Sequence, residues 1–189
     1  MKRLFIAFDI DERLRHSLER AGAAFSESLG NEANAIRWIS PENYHMTVAF
    51  LGERSDDDLP VITGAVAECA LPERERLSLG LPMVFPKPRN PRVLVRSIDH
   101  GSRPLAEAAE AVRNALKGAK VEFDEKPFKA HLTVGYLRKR PQAMLRRIGE
   151  QWMKEEREIG SNGSVTAITL YQSELTPNGS RYTPLYRRE

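Results

Sequence analysis

The sequence predicts an α+β fold rather than a doubly wound parallel sheet. Segments with strand and helix periodicity are mixed without a strict βαβ rhythm. Two strand-like segments near the middle are separated only by a proline-rich stretch, and the last two flank a short turn.

Leu4 to Ile10 is an apolar run that reads as a buried strand, and Asp11 then offers a helix N-cap. Leu14, Leu18, Ala21 and Phe25 carry a helical rhythm to about Leu29. Ile36 to Ile39 suits a short strand, and Ser40-Pro41-Glu42-Asn43 a turn. His45 to Leu51 alternates as a strand ending at Gly52, and Asp56 to Leu71 is expected to be helical with Ser55 or Asp56 as cap. Leu77 to Val84 alternates again. The three prolines between Phe85 and Pro91 predict a loop, because proline breaks a ladder. Arg92 to Ile98 reads as a strand, and Arg103 to Leu116 as a helix stopped by Gly118. A possible strand at Val121 to Phe123 is followed by a strand at His131 to Leu137 and a helix from Pro141 to about Lys154. Strands at Ser164 to Glu174 and Arg181 to Tyr186 then flank the turn Thr176-Pro177-Asn178-Gly179.

The chain has 189 residues, 41% apolar and 29% charged, as in an ordinary soluble globular protein able to bury a core without disulfides. The lone cysteine, Cys69, has no internal partner and suits a reducing cytosol, as a small core or surface residue. A net charge of +3 permits an anionic partner without demanding one. The run Leu4 to Phe8 is too short for a signal-peptide core, and no stretch is long enough to span a membrane. Glycine-rich phosphate loops and paired CxxC motifs are absent, which argues against a P-loop or a structural zinc site.

One pattern occurs twice. Tyr44-His45-Met46-Thr47-Val48-Ala49-Phe50-Leu51 returns as Ala130-His131-Leu132-Thr133-Val134-Gly135-Tyr136-Leu137. Each copy lies in an expected strand, where a spacing of two puts His and Thr on one face. Brought together, the copies present two imidazoles and two hydroxyls to one cleft. Opening a cyclic phosphate needs an activated water and a protonated leaving oxygen, and histidine can fill either role near neutral pH. The threonine hydroxyls can donate to the non-bridging oxygens, and no metal or cofactor is needed if the two histidines do the proton work. Of the other two histidines, His16 falls on a helix and His100 in a turn, and both read as surface residues.

With these two motifs the chain resembles the two-histidine phosphoesterases, and within them the RNA 2′,3′-cyclic phosphodiesterases, also called 2′-5′ RNA ligases. The likeness includes Arg3 to Phe8, Arg37-Trp38-Ile39-Ser40-Pro41-Glu42-Asn43-Tyr44-His45, Phe50 to Glu53, Pro91 to Val95, Phe128 to Thr133, Leu170 to Leu175 and Gly179 to Tyr182. The resemblance implies a bilobal arrangement of two antiparallel sheets with outer helices, related by a pseudo-twofold axis, with the active cleft between them. It implies residues 1–189 as a single two-lobed domain. It further implies hydrolysis of RNA 2′,3′-cyclic phosphate ends to 2′-phosphates, with possible 2′-5′ joining of RNA ends. By position, His45 is the proton donor to the leaving 3′ oxygen, His131 the acceptor that activates water, and Thr47 and Thr133 the phosphate-binding hydroxyls.

One position departs. Family members often carry Arg five residues after the second histidine, where this chain has Tyr136. Arg138 shares a strand side with Tyr136 unless a bulge intervenes, and is either the replacement cation or a solvated strand end. Phe50 and Tyr136, with Tyr44 and Tyr182, are candidates to stack on a base or to pack the core. Lys87, Arg89, Arg92, Arg146 and Arg147 are candidates to guide RNA or to form solvated faces. The expected partner is an RNA end, for a cytoplasmic monomer without a membrane partner. Two other readings stay open: a different cyclic phosphate or 2′-5′ oligoadenylate as substrate, and a non-catalytic RNA-binding module.

Overall fold

The computed structural model describes residues 1–72, 76–156, 162–176 and 179–189. Pro177 and Asn178, the centre of the expected final turn, lie outside them. The described strands form two antiparallel sheets, which establishes the α+β fold.

The chain opens with β1 (Lys2–Ile10), which is buried without interruption from Leu4 to Ile10, as expected of a buried strand. Helix α1 (Glu12–Leu29) starts at the expected cap, where Asp11 Oδ1 accepts from the Leu14 amide at 3.0 Å. Ser164 Oγ donates to the other Asp11 oxygen at 3.1 Å. Asp11→Ala removes both bonds and should lower stability by about 1–2 kcal/mol. Chemical denaturation will read this, and a loss below about 0.3 kcal/mol would show that the cap contributes little.

After β2 (Ile36–Trp38) and a 3-10 turn at Pro41–Asn43 comes β3 (His45–Arg54). Gly52 does not end this strand. Its φ of +72° sits at a bulge where Leu51 has no partner, and pairing resumes as Leu4 with Gly52. The expected helix from Asp56 to Leu71 is shorter. A 3-10 turn at Asp56–Asp58 precedes α2 (Leu59–Ala67), and Pro72 biases Leu71 away from helical backbone. Cys69 just beyond is buried, its Sγ donating to the Ala65 carbonyl.

The proline-rich stretch is not a loop. Strands β4 (Leu77–Lys87) and β5 (Asn90–Ile98) form a hairpin with only Pro88 and Arg89 in its turn. Pro86 and Pro91 stand opposite each other, beside a register shift. Two residues without amide donors thus share a pair position that asks for none. Helix α3 (Ser102–Gly118) runs through Gly118, and Lys120 takes the left-handed conformation expected of a stop residue. The Val121 amide closes the end on the Leu116 carbonyl. Val121 to Phe123 is not a strand. This segment runs beside β3 with one backbone bond nearby, Asp124 N to Phe50 O at 2.9 Å.

Strand β6 (His131–Leu137), helix α4 (Gln142–Trp152) and strands β7 (Asn162–Gly163), β8 (Val165–Thr176) and β9 (Gly179–Arg188) complete the chain. One sheet runs β3-β1-β8-β9 and the other β2-β6-β5-β4-β7. Apart from β2, which lies between α1 and β3, the order β1-α1-β3-α2 has the same plan as β5-α3-β6-α4. In each, the motif strand pairs antiparallel with the strand before its helix. Helix α1 packs on the second sheet with α4, while α3 reaches β3 and packs with α2 at the first sheet. The exchange of helices follows the pseudo-twofold relation and leaves one apolar core continuous through both lobes. No described helix is long and apolar enough to cross a membrane.

Candidate active site

The twinned motifs meet in one cleft of about 670 Å³ between the sheets, lined by His45, Thr47, His131 and Thr133. That volume suits a nucleotide-sized ligand. The two motif strands also share a local irregularity. Ile6 pairs with Ala49 and Ala7 with Thr47, leaving Val48 unpaired. Leu94 pairs with Gly135 and Val95 with Thr133, leaving Val134 unpaired. A bulge thus follows the threonine in both copies. Ordinary alternation puts Met46, Val48, Leu132 and Val134 into the core, and the bulge then returns Phe50 and Tyr136 to the cleft side.

The imidazoles are held alike. Nδ1 of His45 lies 2.8 Å from the Asn43 carbonyl, and Nδ1 of His131 lies 2.7 Å from the Lys129 carbonyl. A carbonyl only accepts, so each Nδ1 carries the proton and Nε2 is left for chemistry. Phe5 packs beside His45 at 4.9 Å between ring centroids and Tyr182 at 5.2 Å, edge-on. Phe85 meets His131 edge-on at 4.9 Å. Burial pushes His45 down to about 4, opposed by its bond to Asn43 and by the charge of Asp9, while His131 adds to the depression. Burial also lowers His131, against its bond to Lys129, and the Lys129 ammonium lowers it further. Both shifts favour neutral rings near pH 7, and an anion between them favours their charged forms.

Phe50 stands half-exposed at the mouth, and Tyr136 and Tyr182 lie inside. Tyr44 is buried away from the cleft, its hydroxyl pushed up to about 12 by burial. Arg138 is exposed beyond the end of β6 and does not line the cleft. The cation nearest Tyr136 is Arg37 from β2, its guanidinium carbon 4.7 Å from the ring centroid. Lys87, Arg89 and Arg92 are exposed outside the cleft. Arg146 pairs with Glu150, and Arg147 with Glu32. The positive groups that do line the cleft are Arg3, Arg113, Lys126 and Lys129. Two of them, Lys126 and Lys129, immediately precede the second motif, a signal that charge clusters elsewhere obscured. His16 is exposed beside Glu12, and His100 is exposed in a turn.

Fold and cleft define a two-lobed, LigT-like phosphoesterase architecture. A crystal structure of a Thermus thermophilus protein matches with a TM-score of 0.76 at 24% identity, covering 98% of this chain and 96% of that one. Escherichia coli LigT complexed with 3′-AMP matches with a TM-score of 0.72 at 24% identity over 98% and 96%. The chain belongs to the 2′-5′ RNA ligase superfamily, a hydrolase-type enzyme family whose model matches residues 13–176. It is 32% identical to the RNA 2′,3′-cyclic phosphodiesterase of Archaeoglobus fulgidus over 97% of both chains. It is 28% identical to the protein of that name from Thermotoga maritima, over 97% of this chain and 93% of that one.

Proposed function

We propose that the protein hydrolyses RNA 2′,3′-cyclic phosphate ends to 2′-phosphates. The observation that carries this reading is the matched pair of imidazoles in one cleft, each tied back through Nδ1, with a threonine two residues on. His45 donates a proton to the leaving 3′ oxygen, and His131 takes one from the attacking water. Thr47 and Thr133 donate hydrogen bonds to the non-bridging oxygens, where charge accumulates. Phe50 and Tyr136 offer faces to a terminal base. Residues 1–189 act as one two-lobed unit, a cytoplasmic monomer needing neither metal nor cofactor. The same in-line displacement, with an RNA 5′ hydroxyl attacking in place of water and the 3′ oxygen again leaving, forms a 2′-5′ linkage.

Adenosine 2′,3′-cyclic phosphate tests this. The expected product is the 2′-phosphate alone, and EDTA should leave the rate within about twofold of its starting value, well inside the loss that removing one acid-base group brings. No turnover, or a 3′-phosphate product, would reject the reading. Loss with EDTA that a divalent ion restores would replace the two-histidine chemistry with a metal-assisted one.

A further inference from the structure

We infer that Asp9 is a positioning residue for the acid half of the reaction, its buried carboxylate supporting the imidazolium of His45 from the next strand. The inference rests on the reading of His45 as proton donor. Asp9 and His45 are direct partners across the β1–β3 ladder. Directly opposed residues of an antiparallel pair share a face, with Cβ atoms about 4.5–5.5 Å apart. Asp9 is only 9% exposed, and its carboxylate is held on two sides: Thr169 Oγ1 and the Tyr171 hydroxyl each donate to it at 2.8 Å. The Tyr171 ring, 6.2 Å from the His45 ring between centroids, links the carboxylate to the wall around that imidazole.

The charged and titratable groups facing His45 come from several elements. Asp9 and Arg3 are on β1, Tyr171 on β8, Tyr182 on β9 and His131 on β6, and Arg187 of β9 stands behind Asp9. Arg113 of α3 and Asp124, Lys126 and Lys129 ahead of β6 line the far side. Asp124 is already paired with Lys126 at 2.7 Å. Arg187 pairs with Asp9 at 3.4 Å but is half-exposed, so water screens it more than the carboxylate it meets. Asp9 therefore presents net negative charge toward His45.

His131 has the opposite neighbour. The Lys129 ammonium sits 5.9 Å from the centre of the Phe85 ring, and that ring meets His131 edge-on. A carboxylate beside one histidine and an ammonium beside the other push their protonation states apart in the direction that an acid and a base require, against the burial that pushes His45 down. This asymmetry is absent from the motifs themselves, which are twins.

The test uses Asp9→Asn and Arg187→Gln. In proton NMR titrations, the His45 ring resonance should titrate at lower pH in Asp9→Asn and at higher pH in Arg187→Gln than in the wild type. Each unit of displacement is about a tenfold change in the protonated fraction. On adenosine 2′,3′-cyclic phosphate, Asp9→Asn should lose about tenfold or more in kcat/KM on the alkaline side of its profile, with the optimum moved to lower pH. On bis(p-nitrophenyl) phosphate, whose leaving group needs no proton, it should lose less than about twofold. Asp9→Glu should recover part of the first loss. An unmoved His45 titration in Asp9→Asn overturns the proposal, as does an equal loss on both substrates. If Asp9→Asn does not fold, an unmoved titration in Arg187→Gln overturns it instead. A wild-type protein that turns over neither substrate refutes the functional reading, while the titrations still decide whether Asp9 acts on His45.

Discussion

Alanine at His45 or His131 should each lower kcat/KM on a nucleoside 2′,3′-cyclic phosphate by roughly 10²–10⁴-fold, the usual worth of one acid-base group. Both rings are partly buried on the cleft wall and lie outside the apolar core, so neither truncation empties that core, and the folded yield should stay near that of the wild type. The double variant should lose far less than the product of the two single losses, because a proton donor without its acceptor has little left to do. The rate profile of the wild type should be bell-shaped. Its limbs belong to the pair, since the charge of His131 acts on His45. A loss below tenfold at either position would leave the pair without its assigned work.

The largest effect on stability is expected at Trp152. Its side chain is fully buried at the end of α4. Nε1 is shared between the Met83 and Val95 carbonyls, each at 3.1 Å, so the ring ties α4 to β4 and β5. Phe25 of α1 meets it at 5.1 Å, and the buried Arg96 guanidinium lies 5.4 Å from its centre. Trp152→Ala opens a cavity among all four and removes a donor from both carbonyls. A loss of about 3–5 kcal/mol is expected, against a total stability of about 5–15 kcal/mol for a typical domain. In urea, the midpoint should fall with little change in slope. Trp38 remains as the fluorescent probe. A loss under about 1 kcal/mol would show that the second lobe repacks around the gap.

The sequence was most legible where one local signal acted alone. Strand β6 starts and stops where its alternation does, and α1 begins at Asp11 because a cap is a contact between near neighbours. Endings set by partners were harder to read. Gly52 looks like a stop but is a bulge, because the register of β1 continues past it. The prolines after Phe85 look like a loop but occupy opposed positions that no local pattern reveals.

At the site, repetition exposed the His-x-Thr pairs, while the bulges after them stayed hidden. They alone explain why Phe50 and Tyr136 share the histidine side at odd spacing. Asp9 was silent because its partner is set by ladder register, 36 positions away in sequence. Strand parity relates Tyr136 only to its own strand and so points to Arg138, whereas the cation above its ring, Arg37, comes from β2.

The most direct test of the two-histidine account compares His45→Ala and His131→Ala on two substrates, adenosine 2′,3′-cyclic phosphate and bis(p-nitrophenyl) phosphate. The second expels a leaving group that departs without a proton. If His45 is the donor and His131 the acceptor, His45→Ala should recover most of its loss on the activated substrate, and His131→Ala should recover almost none. Recovery by His131→Ala alone would reverse the roles, and equal behaviour of the two variants on both substrates would contradict a division of labour between them.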